Sequence, residues 1–174
     1  MSERNEITGE LVQKISLSIL DNNSSKLNNL IADLHVADIA DILENLSVDE
    51  AQFLYHIIEE EKSAEILMEL DDSLREDLLS DLSPKEIAEE VIDNLESDDA
   101  ADVIGELSEK KQVEVLSHIE DKEYASDISD LLTYPEDTAG GLMAKELIKV
   151  NENWSTLQCL REMRKQAEHV KQVH

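Results

Sequence analysis

Few of the residues that carry enzyme chemistry or force tight backbone geometry occur in this chain of 174 residues. There is one cysteine, Cys159, with four glycines, two prolines, one Trp, one Phe and three Tyr. A single thiol excludes an internal disulfide and a cysteine-based zinc site, and it suits a reducing compartment. Gly9, Gly105, Gly140 and Gly141 make no spaced set of the kind that cradles phosphate. The histidines, His35, His56, His118, His169 and His174, include no i, i+4 pair, so a helical zinc site is excluded as well. No apolar run approaches the roughly 18 residues of a membrane span. Met1 to Glu10 is polar and acidic, unlike a secretory signal. Basic residues are also scarce: 15 Lys and Arg face 42 Asp and Glu, a formal charge of −27. Such a surface repels phosphate backbones, which argues against a nucleic-acid partner. Cys159 reads as a packing residue, and nothing in the chain points to an enzyme.

What is present is an apolar fraction of 41%, enough for a folded core and too much for general disorder. The charge is unevenly placed. Residues 1–133 hold 9 basic and 36 acidic residues, so the entire imbalance falls there, and residues 134–174 hold 6 of each. Pro135 and the pair Gly140-Gly141 follow directly after the change. Composition and breaker residues therefore divide the chain into an acidic part, 1–133, and a second part, 134–174.

The acidic part repeats. Leu34, Leu46, Ile58, Leu70, Leu82, Leu95, Leu107 and Ile119 recur every 12 residues, except for a step of 13 from Leu82 to Leu95. The residues three and four before each of these anchors are apolar throughout, as in Ile42-Leu43 before Leu46 and Val103-Ile104 before Leu107. Those positions share one face of a helix. Helix-start signals follow several anchors: Ser47 with Glu50, and Ser83 with Pro84 and Glu86. The unit is one short helix and a tight turn. A helix of about ten residues is marginal alone, because nucleation is costly, so neighbours must stabilise it. The expected fold is all-α, a superhelical, solenoid-like array of about ten short antiparallel helices.

The second part differs. Ala139–Ala144 reads as a short turn or helix, Leu147–Val150 as a short strand, and Ser155–Gln166 as an amphipathic helix with Leu157, Leu160 and Met163 on one side. One strand and one helix do not make a domain, so 134–174 is expected to be the opening of an α/β domain.

The carboxylates are the most informative feature. Crowding them weakens the compact state by self-repulsion, which a divalent cation relieves locally. Oxygen donors without Cys or His favour hard ions, and Mg²⁺ characteristically takes one or two carboxylates and keeps several waters. The cluster Asp98, Asp99 and Asp102 stands out, with Asp98 and Asp102 on one helix face. A second explanation holds equally at this level: behind Ser97 as N-cap, Asp98 and Asp99 would occupy a first helical turn, where the macrodipole favours anions without a metal.

The acidic helical array, with "AEILMEL" at 64–70 and the DDxxD pattern at Asp98, Asp99 and Asp102, resembles the MgtE magnesium channels. The segment "YPEDTAGGLMAKELIKV" at 134–150 is similar to that family's junction into its first CBS domain, and "ENWSTLQCLREM" to the first helix of that domain. The resemblance implies an acidic cytosolic N domain, 1–133, followed by a linker and incomplete first CBS domain, 134–174. It implies Mg²⁺ shared between the N domain and the CBS domains, holding the closed state of a dimeric channel at the cytoplasmic side of the membrane. Its implied N-domain ligands are Asp98 and Asp102, with Glu65 as a further ligand and Asp99 as an outer-shell neighbour. The implied partners are the CBS domains and the transmembrane pore, absent from this chain, which by itself neither conducts nor inserts into a membrane. The alternative is an acidic helical-repeat adaptor similar to flagellar motor-switch domains, binding a basic protein and no metal.

Overall fold

The computed structural model describes residues 9–135, 138–145, 148 and 150–166, without the side chain of Glu61. The repeat unit is built as its periodicity requires. Among the described residues ten α-helices precede Leu132: α1 Gly9–Leu20, α2 Ser24–Ile31, α3 Val36–Glu44, α4 Val48–Tyr55, α5 Glu60–Glu69, α6 Asp72–Asp81, α7 Pro84–Glu86, α8 Ser97–Gly105, α9 Glu109–His118 and α10 Lys122–Leu131. Helix α11 covers Thr156–Gln166. The anchors Leu46, Leu70, Leu82 and Leu95 sit just past the ends of their helices, and Leu70, Leu82, Leu95 and Ile119 are buried. The preceding pairs Ile42-Leu43, Ile66-Leu67, Leu78-Leu79 and Val103-Ile104 are buried as well. Each such Leu or Ile contributes about 1.5–3 kcal/mol by leaving water, which is what keeps helices of this length folded.

The turns use the expected caps. Glu86 carboxylate accepts the Ser83 N–H at 2.8 Å, and Ser83 Oγ accepts the Glu86 N–H at 3.3 Å, a reciprocal box around Pro84. Glu50 reaches back to the Ser47 N–H at 3.1 Å. It also accepts from Ser16 on α1 and from the Ser47 hydroxyl, and these bonds, Ser16 first, lower its pKa.

The single 13-residue step has a local solution. After α7 the chain runs through a π-helical segment, Ile87–Val91, and a 3₁₀ turn, Ile92–Asn94. The additional residue widens one turn and leaves Ile87, Ala88, Val91 and Ile92 on the buried side.

The described chain forms two compact units. One comprises the residues up to Leu95 with Glu106–Ile119, and the other Glu96–Gly105 with the residues from Glu120 onward. Within the first unit, α3 packs on α5, α5 and α9 on the π segment, α7 on α9, and α4 on α6. Alternate helices thus stack, as in an array of helical hairpins. Three of the scarce bases serve helix ends and turns there. Lys62 Nζ donates to the Ala32 carbonyl at 3.1 Å, and Lys111 Nζ to the Leu79 and Leu82 carbonyls at 2.8 and 2.9 Å. Arg75 joins Asp72 at 2.7 Å to Glu106 at 3.0 Å. Lys62 and Lys111 thus satisfy carbonyls at the negative ends of α2 and α6, while Arg75 bridges a carboxylate in the first turn of α6 to Glu106.

In the second unit α8 packs on α10. The residues from Thr138 to Leu142 form turns, and α11 extends over Thr156–Gln166, as expected. The α/β character expected of 134–174 is not found: no strand occurs among the described residues. The strand expected at 147–150 falls partly on Leu147 and Lys149, which lie outside the described residues. In α11, Leu157 and Leu160 are 67% and 43% exposed, so this side of the helix has no cover among the described residues.

Candidate metal-binding region on helix α8

Helix α8 opens where the Glu96 carbonyl accepts the Ala100 N–H at 2.9 Å. Ser97 is therefore the first helical residue and not the cap before it, a shift of one position from the sequence expectation. Its side chain is fully buried, and its Oγ accepts the backbone N–H of Lys145 at 3.0 Å. Ala100, Ala101, Val103 and Ile104 are buried on the same side of the helix as Ser97. This leaves Asp98, Asp99 and Asp102 half-buried, with Asp98 and Asp99 in the first turn.

Asp98 differs from an ordinary first-turn carboxylate. Its Oδ1 is buried and has no hydrogen-bond partner. A carboxylate oxygen withdrawn from water without a donor is costly, and a cation is the kind of group that would offset the cost. Asp102 lies one turn further along the same face. Glu65 is placed elsewhere, exposed on α5 between the fully buried Ala64 and Ile66, and it belongs to the other compact unit. No group of three or more His, Cys, Asp or Glu side chains among the described residues is arranged to hold a metal ion. A cation held on α8 by Asp98 and Asp102 alone would have to keep most of its waters, as Mg²⁺ characteristically does.

Two charged arrangements were not visible in the sequence. Lys145 Nζ bonds Asp130 and lies 4.0 Å from Asp127, both on α10. The bond to Asp130, followed by the charges of Asp130 and Asp127, raises the lysine pKa. The only signal was the i, i+3 spacing of two aspartates, common in so acidic a chain. In the first unit, the widened turn places Glu90 near Glu86, Glu60 and Glu89, and burial foremost, then these like charges, raises its pKa. His56 opposes this, and its Nε2 lies 3.0 Å from Asp81.

Residues 34–137 match the model of the MgtE intracellular N domain. The chain belongs to that family. The N-domain match covers all the repeat anchors and the α8 aspartates. No curated protein matches the chain. Among solved structures, the soluble part of a magnesium transporter superimposes with a TM-score of 0.74 at 20% identity, over 94% of this chain. The cytosolic domain of the Mg²⁺ channel MgtE in complex with ATP superimposes with a TM-score of 0.81 at 21% identity, over 93% of this chain. Identities this low speak for a shared fold. The chain spans 64% and 66% of those two proteins. None of these proteins is described as an enzyme, and no helix among the described residues is long and apolar enough to cross a membrane.

Proposed function

We propose that this N domain is the cytosolic magnesium-sensing region of an MgtE-like channel, with Asp98 and Asp102 supplying its share of an interdomain Mg²⁺ site. The observation that carries this reading is the buried, unpartnered Oδ1 of Asp98 on a helix with Asp102 one turn away. Asp99 would act through water. The bound ion supplies positive charge that offsets carboxylate repulsion, so it stabilises the arrangement in which acidic surfaces lie close. That differential affinity is what allows an ion to shift a conformational equilibrium.

In this reading 1–133 is the N domain, and 134–174 is a linker leading into the first CBS domain. The match over 94% of this chain extends beyond residue 137 and so takes in part of this second stretch. The uncovered Leu157 and Leu160 of α11 supply apolar surface on which the rest of such a domain could pack. This reading places the remaining ligands and the dimer contacts in CBS domains at the cytoplasmic face of a membrane, below a transmembrane pore. No observation favours the motor-switch-like adaptor.

The test is Mg²⁺ titration of this chain, followed by amide chemical shifts. Asp98–Asp102 amides should move with weak, millimolar affinity, and Asp98→Ala with Asp102→Ala should abolish the response. In the chain extended through both CBS domains, Mg²⁺ should protect against protease, and the double substitution should shift protection to higher concentration. Equal protection of both proteins would remove these ligands.

A further inference from the structure

Tyr134, Pro135 and residues 138–145, which belong to the most distinctive motif of the sequence, are joined by turn bonds and then fastened at one residue. Thr138 Oγ1 donates to the Pro135 carbonyl at 2.7 Å and accepts the Gly141 N–H at 3.3 Å. The Leu142 N–H returns to the Thr138 carbonyl at 3.1 Å. The Tyr134 ring lies over Gly140 so closely that a Cβ there would stand 2.5 Å from the ring Cδ1. Only glycine admits that stacking without a shift. Met143–Lys145 have no regular structure of their own, yet Lys145 makes two kinds of bond to two helices. Its N–H is held by the buried Ser97 Oγ of α8, and its ammonium, 22% exposed, by Asp130 and Asp127 of α10.

We propose that Lys145 is a positioning residue that fastens the 134–145 turn to the α8–α10 pair and so fixes the direction in which the chain leaves the helical array. The covalent path from Asp98 to this fastening is one residue, Ser97. A change at the start of α8 is therefore felt by the outgoing segment through a single hydrogen bond. That link to Asp98 rests on the magnesium reading above, whereas the fastening itself does not. The charge assistance matters because the segment otherwise depends on short-range turn bonds at an exposed edge.

Amide hydrogen exchange on the full chain tests the fastening. In Lys145→Met the amides of residue 145 and Leu142 should exchange about tenfold faster while those of α5 and α6 are unchanged, and Lys145→Arg should restore protection. Unchanged exchange in Lys145→Met overturns the proposal. Should that variant unfold, wild-type protein in about 1 M NaCl decides, since screening to about 3 Å should accelerate the same amides, and indifference to salt overturns the fastening. Mg²⁺ titration separates the link from the metal reading. Shifts that run from Asp98–Asp102 to Lys145 in the wild type, and stop at α8 in Lys145→Met, support the link. Shifts confined to α8 in the wild type overturn it, and no shift at α8 counts against the metal site while exchange still decides the fastening.

Discussion

At the scale of single residues, the consequences of an acidic surface fall on a few side chains. Lys111 holds two carbonyls, Leu79 and Leu82, at the end of α6, and partial burial lowers its pKa. Replacing it with Met keeps the stem but leaves those carbonyls without their charged donor. The expected loss is about 2 kcal/mol, read as a lower urea midpoint at unchanged slope. Glu90 works in the opposite sense. Its pKa is raised above 4.5 by burial and by Glu86, Glu60 and Glu89. A raised carboxyl favours the native state below the unfolded-state pKa, and this contribution is lost as pH rises through the folded value. Glu90→Gln should therefore stabilise at pH 7 by about 0.5 kcal/mol and have little effect at pH 4. A larger gain at pH 4 would contradict the assignment. Glu50 and Glu86 have lowered values and contribute stability above about pH 4.5 that is lost on further acidification.

At the scale of the element, the 12-residue unit was legible because each helix carries its own burial pattern and its own cap. Ile42-Leu43 with Leu46, and Ser83 with Glu86, state where a helix lies and where it begins before any tertiary contact is known. The 13-residue step was equally visible as a number, but its resolution was not. An extra residue could have lengthened a turn, and the π segment shows that it was absorbed inside the helix, keeping Val91 and Ile92 in register with Leu95. Deleting the exposed Glu89 should restore the 12-residue step and an ordinary α-helix, at a stability within ~1 kcal/mol of wild type by urea unfolding. A loss above ~3 kcal/mol would show that the widened turn is required by its neighbours.

At the scale of the molecule, a formal charge of −27 makes compactness depend on ions. Raising NaCl should raise the melting temperature by screening repulsion, with most of the gain reached once the Debye length falls to about 8 Å. Millimolar Mg²⁺ should raise it beyond NaCl of matched ionic strength. The Asp98→Ala, Asp102→Ala protein should lose only that excess and retain the salt response. An identical response to both ions in the wild type would mean that α8 binds no ion specifically. The chain belongs to the MgtE intracellular N domain family, and its fold matches that of the cytosolic domain of a Mg²⁺ channel.

The sequence by itself determined that the chain builds repeated short helices, where most of them start and stop, and that their outer surface is acidic. These properties depend on spacing along one chain, which helical periodicity converts directly into faces and ends. Tertiary structure alone decided which of the carboxylates loses its water, as Asp98 does through one oxygen, and which of the few cations holds which backbone group. Desolvation and ion pairing depend on neighbours remote in sequence. Lys145 therefore meets Ser97 across 48 residues, a contact that no local pattern encodes.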